Sequence, residues 1–149
     1  MANYSAKGAG STSYPAQPSG AGKITPFRVK VDFADLRTST GAVHTTGVVS
    51  TDHIGVITIP KGAMLMSLGL YTKTGVAGGQ VDLADGTNTW LSNAAVATDD
   101  TMDYPDTNPM AQYFYDADTL LYLNADATMA SGEVWVFGAF YQGMDESNM

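Results

Sequence analysis

Aspartate outnumbers glutamate 13 to 2 in this chain of 149 residues, and no other feature limits the fold as much. A helical protein carries Glu on exposed helix faces, because Glu is a good helix former and Asp is not. Asp belongs in turns and caps, where its carboxylate accepts nearby backbone amides. Sixteen glycines and frequent Thr and Val push the same way. The composition predicts an all-β chain of short strands joined by Gly, Asp and Pro turns.

The hydrophobic pattern bears this out from residue 27 onward. Phe27, Val29, Val31 and Phe33 alternate with Arg28, Lys30 and Asp32, as a half-buried strand requires. Further strands are expected at 48–50, 54–59, 64–71, 80–83, 89–91, 113–115, 119–123 and 133–141. Residues 92–112 read as a long irregular excursion. The last strand, EVWVFGAFY, is apolar on both faces, which marks it as covered on each side or as an interface. Strands of this number and spacing fit a single β-sandwich of the jelly-roll kind. No fixed-period repeat is present. The expected organisation is an arm over 1–26, a sandwich domain over 27–141 and a polar tail over 142–149.

Charge divides the chain unevenly. All seven Lys and Arg residues lie at or before Lys73, and the two sides of that point carry +4 and −12, for a net charge of −8. Before Asp32 every charged residue is basic, within a segment of Gly, Ser, Ala, Pro and Tyr. Such a segment cannot bury enough apolar surface to offset its ordering entropy of about 1–2 kcal/mol per residue. A basic arm on an acidic body is therefore expected to lie on another molecule, the alternative being that it folds back on its own domain. The acidic excess argues against wrapping nucleic acid.

Residues 59–90, IPKGAMLMSLGLYTKTGVAGGQVDLADGTNTW, carry a family likeness. They contain a Pro60-Lys61-Gly62 turn, a long apolar strand, a Gly78-Gly79 loop, and a strand ending in Asp85-Gly86-Thr87, with Ala84 where a further glycine is usual. This arrangement resembles the small structural proteins of tailed bacteriophages, particularly jelly-roll capsid decoration (cement) proteins. The resemblance implies a protein made in the host cytoplasm that binds the outside of a phage head and braces neighbouring capsid subunits. Its partner would be the major capsid protein.

Enzymatic chemistry finds little support. There is no cysteine, which removes disulfides, thiol nucleophiles and Cys-based zinc sites and fits a cytoplasmic origin. His44 and His53 stand at neither zinc-finger nor HExxH spacing. No Gly-x-Ser-x-Gly elbow, Walker loop or dinucleotide fingerprint occurs. Asp99, Asp100, Asp103 and Asp106 offer oxygen ligands, but the sixth-position glycine and closing glutamate of a calcium loop are missing, and Pro105 and Pro109 interrupt it. Turn capping is the expected role, with no metal or cofactor. No apolar run approaches ~18 residues, so a helical membrane span is excluded, and none near the start resembles a secretion signal.

What remains is binding. Tyr4 and Tyr14 have no local core to join and are expected to anchor the arm in partner pockets. Lys7, Lys23, Arg28 and Lys30 would meet acidic partner surface. Trp135, Phe137 and Tyr141 lie on the surplus apolar face of the last strand and are expected to form an oligomer interface, a trimer being favoured. Two other classes fit the same pattern: a carbohydrate-binding sandwich of a fibre or tail, stacking sugars on its aromatics, and a head-vertex or tail-joining protein.

Overall fold

The computed structural model describes residues 3–5, 23–38, 52–105, 113–126 and 128–142. Among them are eleven strands and no helix. In chain order these are β1 (Asn3–Ser5), β2 (Lys23–Asp32), β3 (Arg37–Thr38), β4 (His53–Ile59), β5 (Met64–Thr74), β6 (Gln80–Ala84), β7 (Thr89–Ala95), β8 (Thr101–Asp103), β9 (Tyr113–Phe114), β10 (Thr119–Ala125) and β11 (Glu133–Gln142). They form two sheets. One has the order β3-β1-β4-β10-β6-β7, and the other has β2-β11-β5-β8 with β9 also on β5. The chain is an all-β sandwich.

The connectivity follows one rule once the short strands β1, β3 and β9 are set aside. The remaining eight pair first with last (β2 with β11), second with seventh (β4 with β10), third with sixth (β5 with β8) and fourth with fifth (β6 with β7). Successive pairs fall in alternate sheets. A single long hairpin has in effect been wound around the core, which is the strand order of a jelly roll.

Period-two burial builds that core. Val29, Val31, Leu68, Leu70, Val134 and Val136 from one sheet face Ile54, Val56, Leu83, Leu121 and Leu123 from the other, all buried. At about 1.5–3 kcal/mol for each large apolar side chain removed from water, this layer is the main favourable contribution to folding.

Two turns singled out in the sequence close as their residues require. The amide of Ala63 donates to the Pro60 carbonyl at 3.1 Å across Gly62, whose φ of 83° favours glycine. At Gly86, φ is 90°, and Asp85 Oδ1 accepts the amides of Thr87 (2.9 Å) and Asn88 (2.6 Å), an Asx-type turn.

Several strand limits differ from the sequence expectation. β2 begins at Lys23, four residues early, and carries Pro26; an edge strand tolerates proline because one row of its backbone groups needs no partner in the sheet. Asn3–Ser5 pairs parallel to β4 and antiparallel to β3, so this piece of the expected arm joins the domain's own sheet. Residues 92–112 are not wholly irregular. β7 continues to Ala95 through Asn93, at φ 53° with its amide on Asp82 Oδ1 (2.7 Å), and β8 pairs with β5. The expected strand at 48–50 lies outside the described residues.

Candidate functional site

β11 is flanked on both sides, by β2 and β5, and its two apolar faces meet different fates. Val134, Val136 and Phe140 point into the core, while Trp135, Phe137, Ala139 and Tyr141 stay half-buried on the outer face. Register aligns two rows across this face. Lys30, Trp135, Tyr71 and Met102 form one row, and Arg28, Phe137 and Gly69 form the next. Opposed side chains in such rows touch.

Glycine at position 69 lets the Phe137 ring lie against the β5 backbone, where a Cβ would overlap it. Phe137 also meets Tyr104 edge-to-face at 6.0 Å, and the Arg28 guanidinium lies over Trp135 at 4.7 Å from the ring centroid, a cation–π contact. Arg28, Tyr71, Met102, Trp135 and Phe137 together line a groove of about 360 Å³.

Exposure singles out the same face. Six large apolar side chains are exposed among the described residues: Ile24, Met66, Met102, Tyr104, Phe114 and Leu120. Leu120 alone belongs to the other sheet; the rest stand on β2, β5, β8, β9 or directly after β8. A contiguous apolar patch of this kind marks an interaction surface.

Charged groups fringe the patch. Lys30 pairs with Glu133 at 3.6 Å and Lys73 with Asp100 at 3.5 Å. The Tyr71 hydroxyl donates to Asp100 Oδ1. That hydrogen bond, then the Lys73 charge, holds the Asp100 carboxyl below its usual range, and the same bond pushes the Tyr71 hydroxyl up against the opposing pull of Lys73. Asp99 Oδ1 accepts the Gly75 amide at 2.6 Å. These aspartates therefore serve the turn between β7 and β8. No three His, Asp or Glu side chains among the described residues converge as a metal site would need.

The expected site residues distribute unevenly. Arg28, Trp135 and Phe137 come together in the groove, with Lys30 beside Trp135 and Tyr141 further along β11. Lys23 opens β2, its backbone opposite Gln142, and Tyr4 lies in β1 opposite Ile54 and Thr38. Lys7, Tyr14, His44 and Asp106 lie outside the described residues. Tyr71, Met102 and Gly69 were missed as site residues. Alternation of Tyr71 with buried Leu70 and Thr72 places it on the outer face, whereas nothing local signals Met102.

Trp90, Tyr113, Tyr115 and Tyr122 are engaged elsewhere. Trp90 is buried and meets Tyr113 edge-on at 5.4 Å, Tyr113 meets Tyr115 at 4.9 Å, and His53 stacks on Tyr122 at 4.1 Å on the opposite sheet.

No protein-family model matches this chain, and no curated protein matches it. Two solved structures do. A chain of the capsid asymmetric unit of cyanophage Pam1 superposes with TM-score 0.56 at 14% identity, over 88% of this chain and 94% of that one. A chain from the capsid of Ralstonia phage GP4 gives TM-score 0.57 at 12% identity, over 97% of this chain and 100% of that one. This fold occurs in phage capsids. At such identity the likeness is one of fold, and it extends over nearly the full length of each chain.

Proposed function

We propose that this chain is a virion structural protein that binds the outer surface of a phage capsid and stabilises it by bridging neighbouring capsid subunits. The observation that carries this is the near-complete fold likeness to chains of two phage capsids. The exposed apolar face around β11 supports it, because a binding protein needs such a surface and a solitary sandwich does not. The major capsid protein is the partner, and copies of this chain associate with one another, as a trimer, through Trp135, Phe137 and Tyr141. The arm supplies Tyr4 and Tyr14 as anchors, and Lys7, Lys23, Arg28 and Lys30 meet acidic shell surface. Action is by contact, without catalysis. A sugar platform is disfavoured, because Arg28 already covers one face of Trp135, Phe137 is engaged edge-to-face by Tyr104, and Trp90 and Tyr115 are buried.

Shells assembled from the major capsid protein of the same virus provide the test. Purified protein should co-sediment with them saturably and raise their melting temperature. Exposed charges are screened over about 8–10 Å at physiological salt and contribute little singly, so they tune docking rate and salt sensitivity. Reversing Lys23, Arg28 and Lys30 to Glu should slow docking markedly, whereas neutralising Asp99, Asp100 and Asp103 should not. Failure to co-sediment, combined with retention on polysaccharide resin, would reverse the assignment.

A further inference from the structure

We propose that the groove over β11 receives residues 14–18 from a second copy of this chain. This rests on the assembly reading above and names the occupant of its self-association face. The segment reads Tyr14-Pro15-Ala16-Gln17-Pro18. A Pro-x-x-Pro segment favours the polyproline II helix, which has three residues per turn and docks in grooves lined by aromatic side chains. The groove offers Trp135, Phe137 and Tyr71, with Met102 and the Arg28 guanidinium beside them.

Dimensions agree. Prolines three residues apart stand about 9 Å apart along that helix. Trp135 and Met102 lie in one row two strand spacings apart, which is about 9.5 Å. Pro18 and Pro15 therefore fit over Trp135 and Met102 respectively, leaving Tyr14 just beyond Met102 at the β8 edge as an anchor. Residues 8–22 carry no charge, so docking desolvates no ion.

Reach decides which copy supplies the segment. From Pro18 to Lys23 is five residues, spanning about 17 Å at full extension. Lys23 to Lys30, the β2 residue in the row of Trp135 and Met102, already covers about 23 Å along β2, and the seats lie further inward across the sheet. That exceeds the reach of the five residues, so a chain cannot lay Pro15 and Pro18 on its own Met102 and Trp135. A neighbour's segment carries the same tethers, at Ser5 and Lys23 of its own domain, but the neighbour can sit where both reach the groove, and arm-to-groove contacts passed from copy to copy close into a ring when the rotation permits.

The cysteine-free chain makes the test direct. Tyr14→Cys and Met102→Cys single variants are mixed under mild oxidation, and heterodimers are read by non-reducing electrophoresis and mass spectrometry. Met102 is 53% exposed, so its replacement leaves the core intact. The disulfide should form at least tenfold more than with Leu120→Cys, on the opposite sheet, and should fall severalfold when Pro15 and Pro18 are both replaced by Ala. Equal yields for Met102→Cys and Leu120→Cys would overturn the proposal. So would a Tyr14→Cys/Met102→Cys double variant that closes only within one chain. Neither result touches co-sedimentation with shells, so the two readings fail separately.

Discussion

Replacing Tyr115 with Phe removes one hydroxyl and leaves the ring in place against Tyr113. That hydroxyl donates to Asp85 Oδ2 at 2.8 Å, and both residues are buried. Burial works against the Asp85 carboxylate, but the amides of Asn88 and Thr87, the Asn88 side chain and the Tyr115 hydroxyl outweigh it and hold the carboxyl below its usual range. Burial, then the neighbouring Asp85, pushes the Tyr115 hydroxyl far up, so it remains a donor throughout the accessible pH range. Of the four donors, the variant deletes one. A hydrogen bond to a charged group contributes about 1.5–3 kcal/mol, so Tyr115→Phe should lose that much at neutral pH. For a chain of this size the loss lowers Tm by roughly 3–12 °C.

Urea unfolding followed by the fluorescence of Trp90, which packs edge-on against Tyr113, gives the number. The pH dependence gives the cause. Asp85 has a lowered folded pKa, so its stabilisation is present above the unfolded value of ~3.9 and is lost as pH falls through the folded value. The gap between wild type and Tyr115→Phe should therefore shrink from pH 7 to pH 3. A difference below about 0.5 kcal/mol at pH 7, or one independent of pH, would refute the reasoning.

Gly69→Ala should drive the half-buried Phe137 ring off its seat and cost about 1 kcal/mol, the low end for overpacking, because the ring can swing outward; unchanged urea midpoints would contradict the close approach. Lys73→Ala, which breaks an exposed pair with Asp100, should change stability by no more than about 1 kcal/mol, with a smaller difference at 0.5 M salt. EGTA should leave Tm unchanged, because Asp99 and Asp100 already bond Gly75, Tyr71 and Lys73; a drop restored by Ca²⁺ would assign them to a metal.

What the sequence made legible depended on how local the determinant was. β5 and β11 were readable because long alternation survives any tertiary context, and the same alternation put Trp135 and Phe137 on a surplus face. β7 was cut short because Asn93 takes a positive φ and turns its amide to Asp82, which breaks the period. β8 is three residues held by pairing with β5, and β1 and β3 pair at a sheet margin; none carries a pattern of its own. The groove was half visible for the same reason: Trp135 and Phe137 share a strand, whereas their meeting with Tyr71, Met102 and Arg28 depends on the register of three other strands.

The nested pairing of the eight principal strands also sets a timetable. β6 and β7 are joined by a four-residue turn, while the outermost partners, Asp32 and Glu133, stand about a hundred positions apart. Closing that span costs more chain entropy than the inner hairpin does, and topologies dominated by distant pairings fold slowly. The sandwich should therefore zip from β6–β7 outward, with β2 last; pulse-labelled amide exchange that protects β2 before β6 would contradict this. Until β2 arrives, β11 presents an unpaired edge between two apolar faces. That is the form in which a newly made chain is most prone to stick to another, so the strand that suits this protein to assembly is also its main hazard while it folds.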